Sequence, residues 1–382
     1  MEGVHASAGP WRLMMHGTLF GQYIYEPGDV HRTGGFANHQ VSSANWGMVA
    51  ARRTTRAGRI GLRAMLSVEP WTVSDCGFID YLATGEMCDG DTIHDRQHPH
   101  DLFMEVSADY DRRLGRSASW QVYGGLSGEP ALGPPGFPHR LSAVVNPTAP
   151  IGHHWIDSTH VTFGLVTSGV FTERWKIEGS IFNGREPDEN RADFDLGPFD
   201  SYSGRVAFMP SPRVALQISA GHLREAEAQF APVPRTDVDR VTASAAFVVR
   251  SGRVGLCATT VAYGANASWI VLPDSAVRRV SHALLLETTL GVDRRNVWFG
   301  RFELVGKPGH DLHLHSDPAR ILPTAKLQAG YVRDLGVRGP LAIGVGGTVA
   351  VSVIPTELVA RYDGRLAPSA AVFVVLRPRH RM

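Results

Sequence analysis

The chain has 382 residues, 43% of them hydrophobic and 20% charged, and a formal net charge of +1. Lys and Arg are scattered, which excludes a basic nucleic-acid surface, and no apolar run approaches the roughly 18–20 residues of a transmembrane helix. A membrane role would therefore require a closed barrel, the only other architecture that satisfies every backbone group in lipid.

The opening MEGVHASAGP has neither a basic n-region nor an apolar h-region, so an exported chain of this sequence reads as a mature form with its signal peptide removed. From there alternating runs recur. Arg12 to Tyr25 is followed by a polar loop, then Ser42 to Arg53 turns at Thr54–Ala57 into Arg59 to Val68. In this pair Ala44, Trp46, Met48 and Ala50 oppose Ser43, Asn45, Gly47 and Val49, and Ile60, Leu62, Ala64 and Leu66 oppose Gly61, Arg63, Met65 and Ser67. That is the period of a strand with one apolar and one polar face.

Glu69 to Pro99 reads as the longest loop, without regular structure, and holds Cys76 and Cys88, which can form a disulfide in an oxidising compartment. Asp101 to Asp111 and Ala118 to Leu126 follow as strands. The Pro/Gly-rich stretch 127–157 then precedes the clearest unit, Ser158 to Glu186, in which Val161, Phe163 and Leu165 are expected on the lipid face. After its turn, Trp175, Ile177, Gly179 and Ile181 alternate with Lys176, Glu178 and Ser180. The second half continues this rhythm, with strands expected at Asp200–Phe208, Val214–Leu223, Arg240–Val249, Val254–Tyr263, Val280–Leu290, Val297–Val305, Thr324–Arg333, Leu341–Val353 and Pro368–Leu376.

About sixteen strands with short and long connections in strict alternation predict an all-β fold: a single transmembrane antiparallel up-and-down barrel spanning 1–382, with 69–100 and 127–157 as long outer loops. Trp46, Trp120, Trp175 and Trp298 are expected to face outward. Turning the polar face inward gives a pore lining of Arg63, Glu105, Asp109, Lys176, Glu178, Arg205, Arg240, Arg301, Glu303 and Lys326, with Glu287 among them. Mixed charge of this kind suits a water-filled passage for small hydrophilic solutes or ions.

Of 17 histidines, eleven lie in or beside the long loops: His31, His39, His94, His98, His100, His139, His153, His154, His310, His313 and His315. Imidazole is a frequent transition-metal ligand, and residues two apart on an extended segment point the same way. His98 with His100, or His313 with His315, thus makes a candidate copper or zinc site, and His94 lies close to the first pair. The loop 69–100, stapled by Cys76 and Cys88, is expected to cap the outer mouth and carry that site; a metal-binding or metal-export component is the second functional reading. No other cofactor is indicated. An enzyme is not expected: FNGR at 182–185 resembles part of the His-x-Ser-Asn-Gly-Arg motif of outer-membrane phospholipases, but Ser180 stands at its His position and Phe182 at its nucleophile.

The hairpin rhythm resembles the porin-like outer-membrane β-barrels of Gram-negative bacteria. RQHPHDLF, NPTAPIGHHWIDSTH and FNGREPDENR look like segments from a group of such barrels without an established activity. The resemblance implies an outer-membrane location, contact with outer-membrane lipid and the barrel assembly machinery, and no nucleic acid; porin-like barrels often form homotrimers, and the sequence leaves the oligomeric state open. The C-terminal VLRPRHRM departs from it in lacking a terminal aromatic, although Phe373 lies a few residues upstream.

Overall fold

The computed structural model describes residues 3–28, 38–74, 76–228, 235–251, 255–272, 275–293, 295–338 and 341–378. Its strands are β1 (Val4–Ala8), β2 (Trp11–Tyr25), β3 (His39–Ser42), β4 (Asn45–Thr54), β5 (Arg59–Leu66), β6 (Phe78–Cys88), β7 (Asp91–Gln97), β8 (Phe103–Arg113), β9 (Ser119–Gly128) and β10 (Thr162–Phe171). These are followed by β11 (Trp175–Phe182), β12 (Ser201–Ser211), β13 (Val214–Glu227), β14 (Thr236–Ser251), β15 (Gly255–Leu272), β16 (Ser275–Gly291), β17 (Asn296–Pro308), β18 (Ile321–Arg338), β19 (Leu341–Val353) and β20 (Leu366–Pro378). All but β6 and β7 join one antiparallel sheet that closes into a barrel of 16 staves.

Closure is made by β2. Its C-terminal half pairs with β20 from Leu19↔Leu376 to Tyr25↔Ala370, and its N-terminal half pairs with β1, so the two chain ends share one stave. On its other edge β3 and β4 form a second stave, broken at Ser43 and Ala44. Along most strands large apolar side chains stand exposed at every second position, as Trp175, Ile177 and Ile181 do on β11, while Glu178 and Ser180 between them are buried. An exposed apolar band of this kind is stable only against lipid.

Several inward residues differ from the sequence expectation, Met48, Ala50 and Val161 among them. Phe163 and Leu165 are each 1% exposed and face the interior in step with Thr167, packed against Phe194 and the Leu132 cluster, while Val166 and Val170 face outward. Trp46 also faces inward, beside Met48, Met65 and Met104, with its ring edge-on to His16 and His139. The interior is thus partly apolar and not a uniformly polar lumen. The loop alternation also fails once: β15 and β16 extend to Leu272 and Ser275, leaving only residues 273 and 274 between them at the long-loop end.

The two longest connections fold into the barrel, where sequence reading expected outer loops. Residues 78–97 form the hairpin β6–β7, so Glu69–Pro99 is not irregular chain. Cys76 and Cys88 are bridged with a Cα–Cα distance of 5.8 Å, closing a loop of twelve residues at the hairpin's end; a closure of that length stabilises by roughly 3 kcal/mol in the entropic description. The hairpin's apolar residues pack in two directions. Tyr81 and Leu82 join Leu312, Leu322, Ile354 and Leu358, and Ala83 joins Ile151, Trp155 and wall residues from β15 to β17. It is therefore a plug with a core of its own, held against the inner wall.

The segment 129–160 crosses the same interior, and polar residues of the wall bind its backbone in turn. Ser180 and Ser219 accept hydrogen bonds from the N–H groups of Ala131 and Gly133, Arg301 donates to the Thr148 carbonyl, and Glu303 accepts from the Gly152 N–H. Asn266 donates to the carbonyl of His154, in the one-turn helix α1 (His153–Ile156). At Gly264 a Cβ would lie 2.2 Å from the Trp155 carbonyl oxygen, so only glycine lets the segment sit this close to β15. These contacts answer the requirement that buried backbone groups find partners, and they fill the long-loop half of the barrel.

Candidate functional site

The short-turn half holds a polar chamber of about 390 Å³ against the wall. Six of the ten expected pore-lining residues meet there: Arg63, Glu105, Asp109, Lys176, Glu178 and Arg205. Neighbouring staves bring the opposite charges together. Arg205 contacts Glu178 at 2.9 Å and Glu129 at 3.5 Å, Lys176 reaches Glu178 at 2.6 Å, and Arg63 reaches Glu105 at 3.2 Å while lying over the Tyr123 ring. Arg63 and Lys176 retain 30% and 36% exposure, so the chamber presents charge to solvent on one flank.

Arg240, Arg301, Glu303 and Lys326 do not face that chamber. All are nearly inaccessible, and each is matched by a group from an inward-folded segment. Lys326 pairs with Asp80 of β6, and Arg240 donates to Ser158. Arg301 joins Glu287, which also accepts from Arg140 at 2.6 Å; Arg140 in turn pairs with Asp157, and Asp157 accepts from His153 at 2.8 Å. Burial is the largest single influence on the Asp157 carboxyl and would raise it, but Arg140, His153 and His160 together outweigh burial and hold it far below the carboxylate range. Much of the interior charge is thus neutralised by protein and not by water.

The second concentration of chemistry lies where the three segments RQHPHDLF, NPTAPIGHHWIDSTH and FNGREPDENR meet. Arg191 pairs with Glu86 and lies 3.6 Å from Asp101, and His154 contacts Glu186 at 3.1 Å. His154, Glu186 and Glu227 bring donor atoms within 4.8 Å of one another. Gly85 adopts φ +121° directly over the His154 ring, where a Cβ would come within 2.2 Å of the imidazole. Sequence reading missed His153, His154 and His160 as partners of this group, because their proximity depends on 129–160 folding inward. The only signal was the density of histidine in two separate loops.

The expected pairing of His98 with His100 does not occur. His98 Nδ1 faces Glu86 at 3.3 Å, whereas His100 Nδ1 contacts Glu69 at 2.9 Å and its Nε2 faces His160. Proline at 99 and the ion pairs on each side turn the two rings into different surroundings. His313 and His315 stand with ring centroids 6.0 Å apart; the closer neighbour of His313 is His94, at 3.9 Å, and its Nε2 lies 3.0 Å from the Thr92 hydroxyl. His31 lies outside the described residues.

The His94–His313 stack makes the plug's seat sensitive to pH. Burial lowers His94 to about 4, and burial likewise lowers His313. The charged groups around them are Asp91 and Asp95 on β7, His315 beside His313, and Arg361 from the loop after β19. A released hairpin takes up a proton below the ordinary 6.5 and a seated one only near 4, so seating is complete above 6.5 and is lost as pH falls through that window. The contribution from His94 is on the order of 3 kcal/mol. Amide exchange in residues 91–97 is expected to accelerate between pH 6.5 and 4, and His94→Gln should flatten the profile; a pH-independent exchange rate would refute it.

No protein-family model matches the sequence, and no curated protein is similar to it in sequence. Solved structures are similar in fold. OmpF of Salmonella typhi, in a complex with daunomycin, is 9% identical with a TM-score of 0.56, covering 98% of this chain and 100% of its own. The outer membrane channel DcaP of Acinetobacter baumannii is 9% identical with a TM-score of 0.55 over 99% of this chain and 100% of its own. An anion-selective porin from Comamonas acidovorans is 11% identical with a TM-score of 0.51 over 96% and 99%. At such identities the likeness concerns architecture, and it shows that this chain has the 16-stranded β-barrel fold of the outer-membrane porins.

Proposed function

We propose that the protein is an outer-membrane channel for small hydrophilic solutes or ions, gated by its inward-folded segments. The observation that carries this reading is the charged chamber in the short-turn half of a porin-fold barrel, with Arg63, Lys176 and Arg205 set against Glu105, Asp109 and Glu178. Arg63 and Lys176, which keep exposure on the chamber flank beside their carboxylate partners, present charge that sorts permeating ions. The short turns lie at one end of the barrel, which we read as periplasmic, with the plug toward the outside. A homotrimer fits this reading, since one solved neighbour, OmpT of Vibrio cholerae, is described in a trimer form. The reading is non-enzymatic.

Planar-bilayer recording provides the test. The wild-type barrel is expected to conduct poorly, and Arg205→Glu should shift its reversal potential toward cation selectivity, because it replaces the positive partner shared by Glu178 and Glu129. Arg240→Glu and Arg301→Glu should destabilise the barrel instead of tuning it, since those residues are sealed in ion pairs. Absence of conductance even in a folded variant lacking both the plug and the segment 129–160 would exclude the channel.

A further inference from the structure

We propose that His100 and His160 together bind one divalent transition-metal ion through their facing Nε2 atoms, which lie 3.1 Å apart. The inference rests on where the ring protons must be. His100 Nδ1 contacts a Glu69 carboxylate oxygen at 2.9 Å, and His160 Nδ1 contacts the backbone carbonyl of Asp157 at 2.8 Å. A carboxylate and a carbonyl only accept, so each Nδ1 carries the hydrogen and, in the neutral ring, each Nε2 is a bare lone pair. Two lone pairs aimed at each other at this distance repel unless a cation satisfies both. Two bonds of about 2.0–2.1 Å to zinc would place the nitrogens roughly 3.3 Å apart at a tetrahedral angle, close to the spacing here.

The surroundings hold the pair in that pose. Glu69 also accepts from the backbone N–H groups of Asn45 and His100, at 3.0 and 2.8 Å, so its carboxylate is fixed before any ion arrives. Phe137 stacks on His100 and stands edge-on to His160, restraining both rings. A carboxylate or carbonyl on the far nitrogen is the outer-shell arrangement that orients metal-ligating histidines and raises their basicity. Access is from the chamber, which His160 lines together with His139, whose buried Nε2 has no hydrogen-bond partner. Two imidazoles with water in the remaining positions make a set that suits copper(II) or zinc. The site is independent of conduction, since a silent barrel binds equally well.

The purified full-length barrel, stripped with chelator and folded in detergent, would be titrated with Cu²⁺ and with Zn²⁺. Calorimetry is expected to give one saturable site per chain, and the Cu²⁺ spin-resonance spectrum should show coupling to two equatorial imidazole nitrogens. His100→Gln and His160→Gln should each weaken binding at least tenfold, while His313→Gln leaves it unchanged; heat-modifiable migration on gels reports that each variant is folded. Absence of saturable binding, or of two-nitrogen coupling in the wild-type spectrum, would overturn the site whether or not the variants fold. Equal weakening by His313→Gln would overturn it as well. In that case a proton shared between the two rings satisfies both nitrogens.

Discussion

Excising residues 78–97 and joining the flanks with a short Gly/Ser linker is expected to turn a poorly conducting barrel into an open pore, with single-channel conductance rising several-fold in planar bilayers. The hairpin occupies the long-loop half of the interior, and its attachments are to the inner face and not to the hydrogen-bonded wall itself. Asp80 pairs with Lys326, Thr84 accepts from Lys307 at 2.7 Å, and Tyr362 donates to Asp95 at 2.7 Å. None of these belongs to the stave-to-stave ladder, which runs without the hairpin from β5 directly to β8. The barrel should therefore remain closed and heat-modifiable after excision, with Lys307 and Lys326 newly exposed to water and the pore biased toward anions. An excised barrel that folds and still does not conduct would show that 129–160 alone seals the interior, or that the protein is not a channel.

The barrel was legible in the sequence because its determinants are local. Period-two alternation on β5 or β11 reports which face meets lipid, and tight polar turns report the hairpins, so strand count and topology follow without tertiary knowledge. Errors arose where a contact from elsewhere in the chain overrides the local pattern. Phe163 and Leu165 look lipid-facing by composition, yet they pack inside against Phe194 and the Leu132 cluster, which a single run cannot reveal. Trp46 is an interior residue for the same reason, since its partner His139 belongs to a loop almost a hundred positions away. The charged lumen residues were identified from alternation, but their separation into a solvated set and a sealed set depends on where Asp80, Arg140 and Ser158 arrive. The spacing His-Pro-His suggested a local metal pair; proline and two different carboxylates separate it, and the nitrogen that meets His100 comes from sixty residues downstream.

Glu287→Gln is expected to be the most damaging shape-conserving substitution in the interior, lowering stability by about 3–5 kcal/mol, as for breaking a buried ion pair on one side. Glu287 is 1% exposed and accepts from Arg140 at 2.6 Å, from Arg301 at 3.3 Å and from the Ser142 hydroxyl at 2.8 Å. Gln keeps the shape and one acceptor oxygen, but it removes the negative charge between two buried guanidinium groups and turns an NH₂ toward one of them. Arg140 retains Asp157, whereas Arg301 loses its only close carboxylate among the described residues and is left with the Thr148 carbonyl. The loss should fall on the seating of 129–160 more than on the wall, because β16 and β17 stay paired through their backbones from Ala283↔Val305 to Gly291↔Val297. Proteolysis of folded protein in detergent would then nick between Leu141 and Asn146 in the variant and not in the wild type, while the barrel still migrates as heat-modifiable. Replacing the pair together, Glu287→Gln with Arg301→Met, should restore part of the protection, since it removes the stranded charge as well as its partner. If the single variant resists protease as the wild type does, the buried network is not what holds the segment across the barrel, and the backbone contacts of Ser180, Ser219 and Asn266 suffice.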